Sequence, residues 1–133
     1  MKRIQFLVFS AFAFAALVTP ALAAVDCSQA GTQLAMDQCA KKQHDRADAE
    51  LNRVFRILSR KLTDEKVRAS LRESERAWIA FRDRECDFEA SGVSGGSIYP
   101  MIVDQCLTAE IQARIKKLGE MVDCGEGDPS CPR

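Results

Sequence analysis

No glycine or proline interrupts the chain between Gly31 and Gly92. A stretch that long without either residue is free to run as helix, because proline removes a backbone donor and glycine costs about 1 kcal/mol against alanine in a helix interior. The side-chain pattern agrees. From Thr32 to about Leu62 the apolar or small residues Ala40, Ala47, Leu51, Val54, Phe55, Leu58 and Leu62 recur at helical steps, with Lys41, Lys42, Asp45, Arg46, Glu50, Arg53, Arg56 and Arg60 on the other face. Thr63-Asp64 supplies the interruption, since either residue caps a following helix well and Asp64 and Glu65 suit its positive end. A second helix is predicted from about Asp64 to Glu89. Its inner face is read as Val67, Leu71, Ser74, Trp78, Phe81 and Phe88, with Glu73, Glu75, Arg76, Arg82, Asp83 and Arg84 outward or at the rim.

The segment Ser91-Gly92-Val93-Ser94-Gly95-Gly96-Ser97 cannot continue a helix and predicts a turn. Pro100 then suits the first turn of a third helix, whose inner stripe is Val103, Leu107, Ile111, Ile115, Leu118 and Val122. Cys86 and Cys106 flank the turn, so the block from Trp78 to Leu107 predicts a helical hairpin closed by a staple. The chain has six cysteines, an even count in a small exported protein, which points to three disulfides among fifteen possible pairings. Spacing favours Cys27–Cys39, Cys86–Cys106 and Cys124–Cys131. Exchange among the first four stays open, whereas Gly125, Gly127 and Pro129 suit the short last loop.

Lys2 and Arg3 precede an apolar run from Ile4 to Val18, and Pro20 and Ala21-Leu22-Ala23 follow as a small-residue cleavage signal. Residues 1–23 are therefore expected to be a secretory signal peptide, cleaved near Ala23, that leaves the protein periplasmic or secreted. Cys27 lies beyond the first mature position, so no lipid-anchored cysteine and no stable membrane anchor are expected. About 110 residues remain, enough for one small domain. The expected organisation is an all-α, disulfide-stapled three-helix bundle over residues 24–123, with a short lead-in around Cys27 and a C-terminal disulfide loop and tail over 124–133. Without Lys2 and Arg3 the charged residues stand at 17 basic against 19 acidic. So mild a balance gives no electrostatic support for a nucleic-acid partner.

Catalytic patterns are sparse. His44 is the sole histidine, every cysteine has a plausible disulfide partner, and the cysteines lack zinc-ligand spacing, so His44 reads as a helix residue at the core edge and no metal or cofactor is expected. Asp83, Glu85, Asp87 and Glu89 alternate with Arg82, Arg84 and Phe88 on one helix, the pattern of a solvated face more than of a carboxylate pair in a cleft. Trp78 and Phe81 read as core aromatics in place of a ligand platform, and Arg82-Asp83 as a buried or rim ion pair. Gly95-Gly96-Ser97 lacks the lysine of a phosphate loop and reads as a turn.

Taken together, Cys39, Asp48 with Leu51-Asn52, Trp78 with Phe81-Arg82-Asp83 and Cys86, Gly95-Gly96-Ser97, and Cys106-Leu107-Thr108 with Arg114 and Leu118 resemble the LprI-type lysozyme inhibitor N-terminal domain. The resemblance runs from about Cys27 to Leu118. It implies a small exported helical protein, not an enzyme, that binds lysozyme without covalent chemistry. The founding type is a lipoprotein, whereas this signal lacks the anchoring cysteine, and His44 stands where an aromatic is common. The contact surfaces expected are the turn, with Ser94, Gly95, Gly96, Ser97 and Tyr99, and the tail loop, with Glu126 and Asp128. An alternative of a different class is a periplasmic interaction module, serving as immunity or envelope-stress partner, with no effect on lysozyme. Neither reading sets an oligomeric state.

Overall fold

The structure is a computed structural model that describes residues 27–125 and 127–132. Three α-helices make up most of it: α1 (Gln33–Lys61), α2 (Glu65–Glu89) and α3 (Tyr99–Val122). A single 3-10 turn, Ser91–Val93, lies between α2 and α3, and there is no strand among the described residues. The expected signal peptide at residues 1–23 lies outside the described residues.

Local chemistry sets each helix end. The Thr32 hydroxyl accepts a hydrogen bond from the Ala35 N–H at 3.2 Å and caps α1. Of the two residues suited to cap α2, Asp64 does so, accepting from the Lys66 N–H at 2.7 Å. Arg68 closes the connection from below by donating to the Leu62 carbonyl at 2.7 Å. Pro100 lies in the first turn of α3, where its missing N–H leaves no intrahelical bond unmade.

Two contacts fix the direction of α1 against α3. His44, in the first half of α1, meets Asp104 in the second turn of α3, and the Lys61 ammonium donates to the Val122 carbonyl at the end of both. The two helices therefore run parallel, and α2 returns between their ends. The apolar core lies mainly between α1 and α3. Leu58, Ile111 and Leu118 are fully buried there, joined by Ala47, Leu51 and Val54. Burying each of the three large aliphatic side chains stabilises the fold by about 2 kcal/mol.

The attachment of α2 is different in kind. Cys86 and Cys106 are disulfide-bonded with Cα atoms 5.5 Å apart, and Cys86 is completely buried. Glu75, 8% exposed, accepts from the Arg114 Nε at 2.8 Å, and Arg114 also reaches the Ser74 hydroxyl at 3.1 Å. Trp78 packs against the core with the guanidinium of Arg82 5.2 Å and that of Arg114 5.5 Å from its ring centre. The inner stripe of α2 is thus Leu71, Glu75, Trp78, Arg82, Cys86 and Ala90.

That stripe corrects the sequence reading. Phe81 and Phe88, expected on the inner face, are 56% and 73% exposed, and Ser74 is exposed as well. Glu75 and Arg82, expected outside or at the rim, lie inward. A helix turns about 100° per residue, and the bond from Cys86 to α3 fixes the rotation of α2. Positions four, eight and eleven residues before Cys86 then face α3. Phe81 and Phe88 fall off that line.

The remaining cysteines pair as Cys27–Cys39, tying the lead-in to α1, and Cys124–Cys131, closing the tail loop. The exchanged pairings among the first four cysteines do not occur.

Replacing Cys86 and Cys106 together by alanine is expected to lower the unfolding free energy by about 3 kcal/mol. The check is a urea transition followed by circular dichroism, where an unmoved midpoint would contradict the tethering role. Glu75→Ala alone should cost about 2 kcal/mol by leaving Arg114 partly buried without its partner, whereas Glu75→Leu with Arg114→Met should recover most of that loss. A double variant no more stable than Glu75→Ala would show that the pair itself, not the space it fills, holds α2.

Candidate functional site

Short-range hydrogen bonds order the connection from α2 to α3. Backbone bonds run from the Val93 N–H to Ala90, Ser94 to Ser91, Gly96 to Val93 and Tyr99 to Gly96, each at 3.0 to 3.2 Å. The two glycines have separate reasons to be there. Gly95 takes a φ of +76°, which side-chain-bearing residues rarely adopt. Gly96 has no positive φ, but a Cβ on it would stand 3.1 Å from the Val93 carbonyl oxygen. The Gly96 N–H is already used within the turn, so it is not directed outward at an anion.

Ser94, Gly95, Gly96 and Ser97 are exposed at the tip, and Tyr99 is half-buried behind them. The Tyr99 hydroxyl donates to Asp87 at 3.2 Å. Desolvation first, and then the Asp87 carboxylate, hold the Tyr99 phenol above its ordinary pKa. The Cys86–Cys106 bond and the fully buried Ala90 anchor the base of this turn. The result is a surface with little freedom to lose on contact.

The tail loop lies at the opposite end of the bundle. Asp128 accepts from the Ser130 N–H at 2.9 Å and its hydroxyl at 2.7 Å, which lowers the carboxyl below its ordinary pKa. Gly127 takes a φ of +93°. Glu126, expected to share this surface, lies outside the described residues. The turn and the tail loop are therefore two surfaces, not one. Beside the tail loop a shallow cleft of about 530 Å³ is bordered by Lys61, Thr63, Met121, Val122 and Pro132. Among the described residues its lining contains no carboxylate and no histidine.

The other motif residues have local tasks. Asn52 donates to both the backbone carbonyl and a carboxylate oxygen of Asp48, each at 2.9 Å, while Leu51 is buried. Arg82 engages its neighbour Asp83 at 2.6 Å, with Arg82 largely covered and Asp83 exposed. Trp78 sits at the core margin, and Phe81 is separated from it on the outer side.

His44 Nδ1 lies 2.9 Å from Asp104, and both side chains are largely covered. A His–Asp pair needs a nucleophile to catalyse acyl transfer. Thr108, one turn along, donates its hydroxyl to the Asp104 backbone carbonyl at 2.7 Å, and no cysteine is free. Cys124, Asp128 and Cys131 are close enough to suggest a metal site, but the two sulfurs are bonded to one another and present no thiolates. Among the described residues no helix is long and apolar enough to cross a membrane.

Three features escaped the sequence reading: the Glu75–Arg114 pair, the His44–Asp104 contact and the outward Phe81 and Phe88. Counting back from Cys86 in steps of four and three reaches Arg82, Trp78 and Glu75, so the phase of α2 was present in the cysteine position. Nothing in the sequence marks Asp104 as the partner of His44.

The family model described as lysozyme inhibitor LprI matches residues 24–118. A similar curated protein, the uncharacterized protein R02472 of Rhizobium meliloti (strain 1021), is 31% identical over 113 residues, covering 76% of this chain and 81% of its own length. No solved structure matches. With the matched region running from before the first disulfide to the buried Leu118 of α3, the chain belongs to the lysozyme inhibitor LprI family.

Proposed function

We propose that this protein is exported, loses residues 1–23 near Ala23, and inhibits lysozyme in the periplasm or outside the cell by non-covalent binding. The observation that carries the reading is the family match over residues 24–118. Three disulfides suit a protein that works in an oxidising compartment. Inhibition of this kind requires shape and charge, not chemistry. The turn of Ser94, Gly95, Gly96 and Ser97 with Tyr99 is well suited to contact because it is exposed and held at its base by Cys86–Cys106. A surface ordered before binding loses little conformational entropy when it docks. The tail loop around Asp128 is a second, separate contact surface, appended to the helical domain over residues 124–133.

Oxidised protein at micromolar excess is expected to slow cell-wall lysis by at least one of a panel of c-type, g-type and i-type lysozymes. Full lytic activity across the whole panel would refute the inhibitor reading.

A further inference from the structure

Phe81 and Phe88 lie two turns apart on one outward stripe of α2, separated by about 10 Å along the helix axis. They are 56% and 73% exposed. Isolated exposed apolar side chains are common on protein surfaces and need no explanation. Here two aromatics share one stripe while a carboxylate and a guanidinium, Glu75 and Arg82, fill the inner side of the same helix. Ala77 and Arg84 are exposed on the aromatic face, leaving it open.

The border of this ridge is acidic. Glu73, Asp87 and Glu89 are exposed around it and Glu85 is half-buried beside it, four carboxylates against the two exposed cations Arg84 and Arg76. Arg82 does not offset them, because it is turned over Trp78 and engages Asp83. Phe88 stands in the last turn of α2, so the ridge continues into the exposed turn that follows.

We infer that the Phe81–Phe88 ridge, continuous with the turn that follows it, anchors the surface that docks on lysozyme, its aromatic side chains entering an apolar recess in a basic protein surface. This inference rests on the inhibitor reading given above. Charge complementarity selects the occupant. A second copy of this chain would bring one acidic border against another, which repels, whereas a basic enzyme is attracted and steered. The shape also fits, since a convex ridge on a rigid helix matches a concave cleft. Aromatic side chains are the commonest anchors of protein interfaces, and these two are held by α2 before contact.

The test uses the oxidised protein and whichever lysozyme of the panel it inhibits most strongly. Phe81→Ala with Phe88→Ala is expected to raise the half-inhibitory concentration at least tenfold with thermal midpoint and helical signal unchanged. Leu34→Ala, an exposed apolar position on α1, serves as the control and should leave inhibition intact. Should the double variant lose helicity, Phe88→Gln alone is held to the same tenfold threshold. Association should also slow as salt is added, and less steeply in Asp87→Asn with Glu89→Gln. Inhibition by the parent protein with a loss below tenfold in the ridge variant overturns the inference and leaves the inhibitor reading standing. An association rate indifferent to salt overturns its charge basis. A parent protein that self-associates through the ridge, becoming monomeric in the ridge variant with inhibition retained, also overturns it. No inhibition by the parent protein ends the inhibitor reading and this inference with it.

Discussion

The bond between Cys86 and Cys106 fixes the rotation of α2, and much of the molecule's surface depends on that rotation. A helix with few apolar residues on one continuous line has no strong hydrophobic preference for which side to bury. In α2 the aromatic residues Trp78, Phe81 and Phe88 fall within an arc of about 80°, whereas Leu71, Cys86 and Ala90 follow a line turned away from the two phenylalanines, so burial alone offers competing orientations. The covalent link settles the competition. With Cys86 and Ala90 fully buried, Trp78 comes to the core margin and Phe81 and Phe88 are left outside.

Two kinds of cohesion are therefore combined in one small fold. Parallel helices α1 and α3 are joined by aliphatic side chains packed at the centre, the usual source of stability in water. Helix α2 is joined by a disulfide, a largely covered Glu75–Arg114 pair and an indole with two guanidinium groups near its ring. Such polar contacts add less net stability than apolar packing because their groups must shed water, but they accept few alternative geometries. The helix that carries the exposed aromatics is thus held in one position more than it is held strongly.

The titratable groups of this fold lie in pairs between helices or on open faces. The half-buried His44–Asp104 contact bridges α1 and α3 and faces no free nucleophile among the described residues. The carboxylates Glu73, Asp83, Asp87 and Glu89 of α2 lie exposed, where water screens them. What the same residues provide is an acidic border around a preformed aromatic ridge and a glycine turn fixed at its base. Membership of the lysozyme inhibitor LprI family points to a protein partner in general.

Helix positions were legible before any coordinates. The absence of glycine and proline, the apolar periodicity of α1 and α3, Asp64 as a cap and Pro100 in a first turn each act through local sterics and hydrogen bonding, which the sequence states directly. The spacings that favoured Cys27–Cys39, Cys86–Cys106 and Cys124–Cys131 belong to the same class, because chain length limits which cysteines meet. The face that α2 buries was not legible by the same means. Hydrophobicity pointed to Phe81 and Phe88, and only packing against α3 showed that Glu75 and Arg82 face inward with partners on hand. The sequence by itself determined which segments are helical and where they end, since those are short-range properties. Which side of α2 meets α3 was marked in the chain only by Cys86, against the pull of Phe81 and Phe88, and the tertiary structure resolved that conflict because the choice depends on a cross-link and an ion pair between residues distant in the chain.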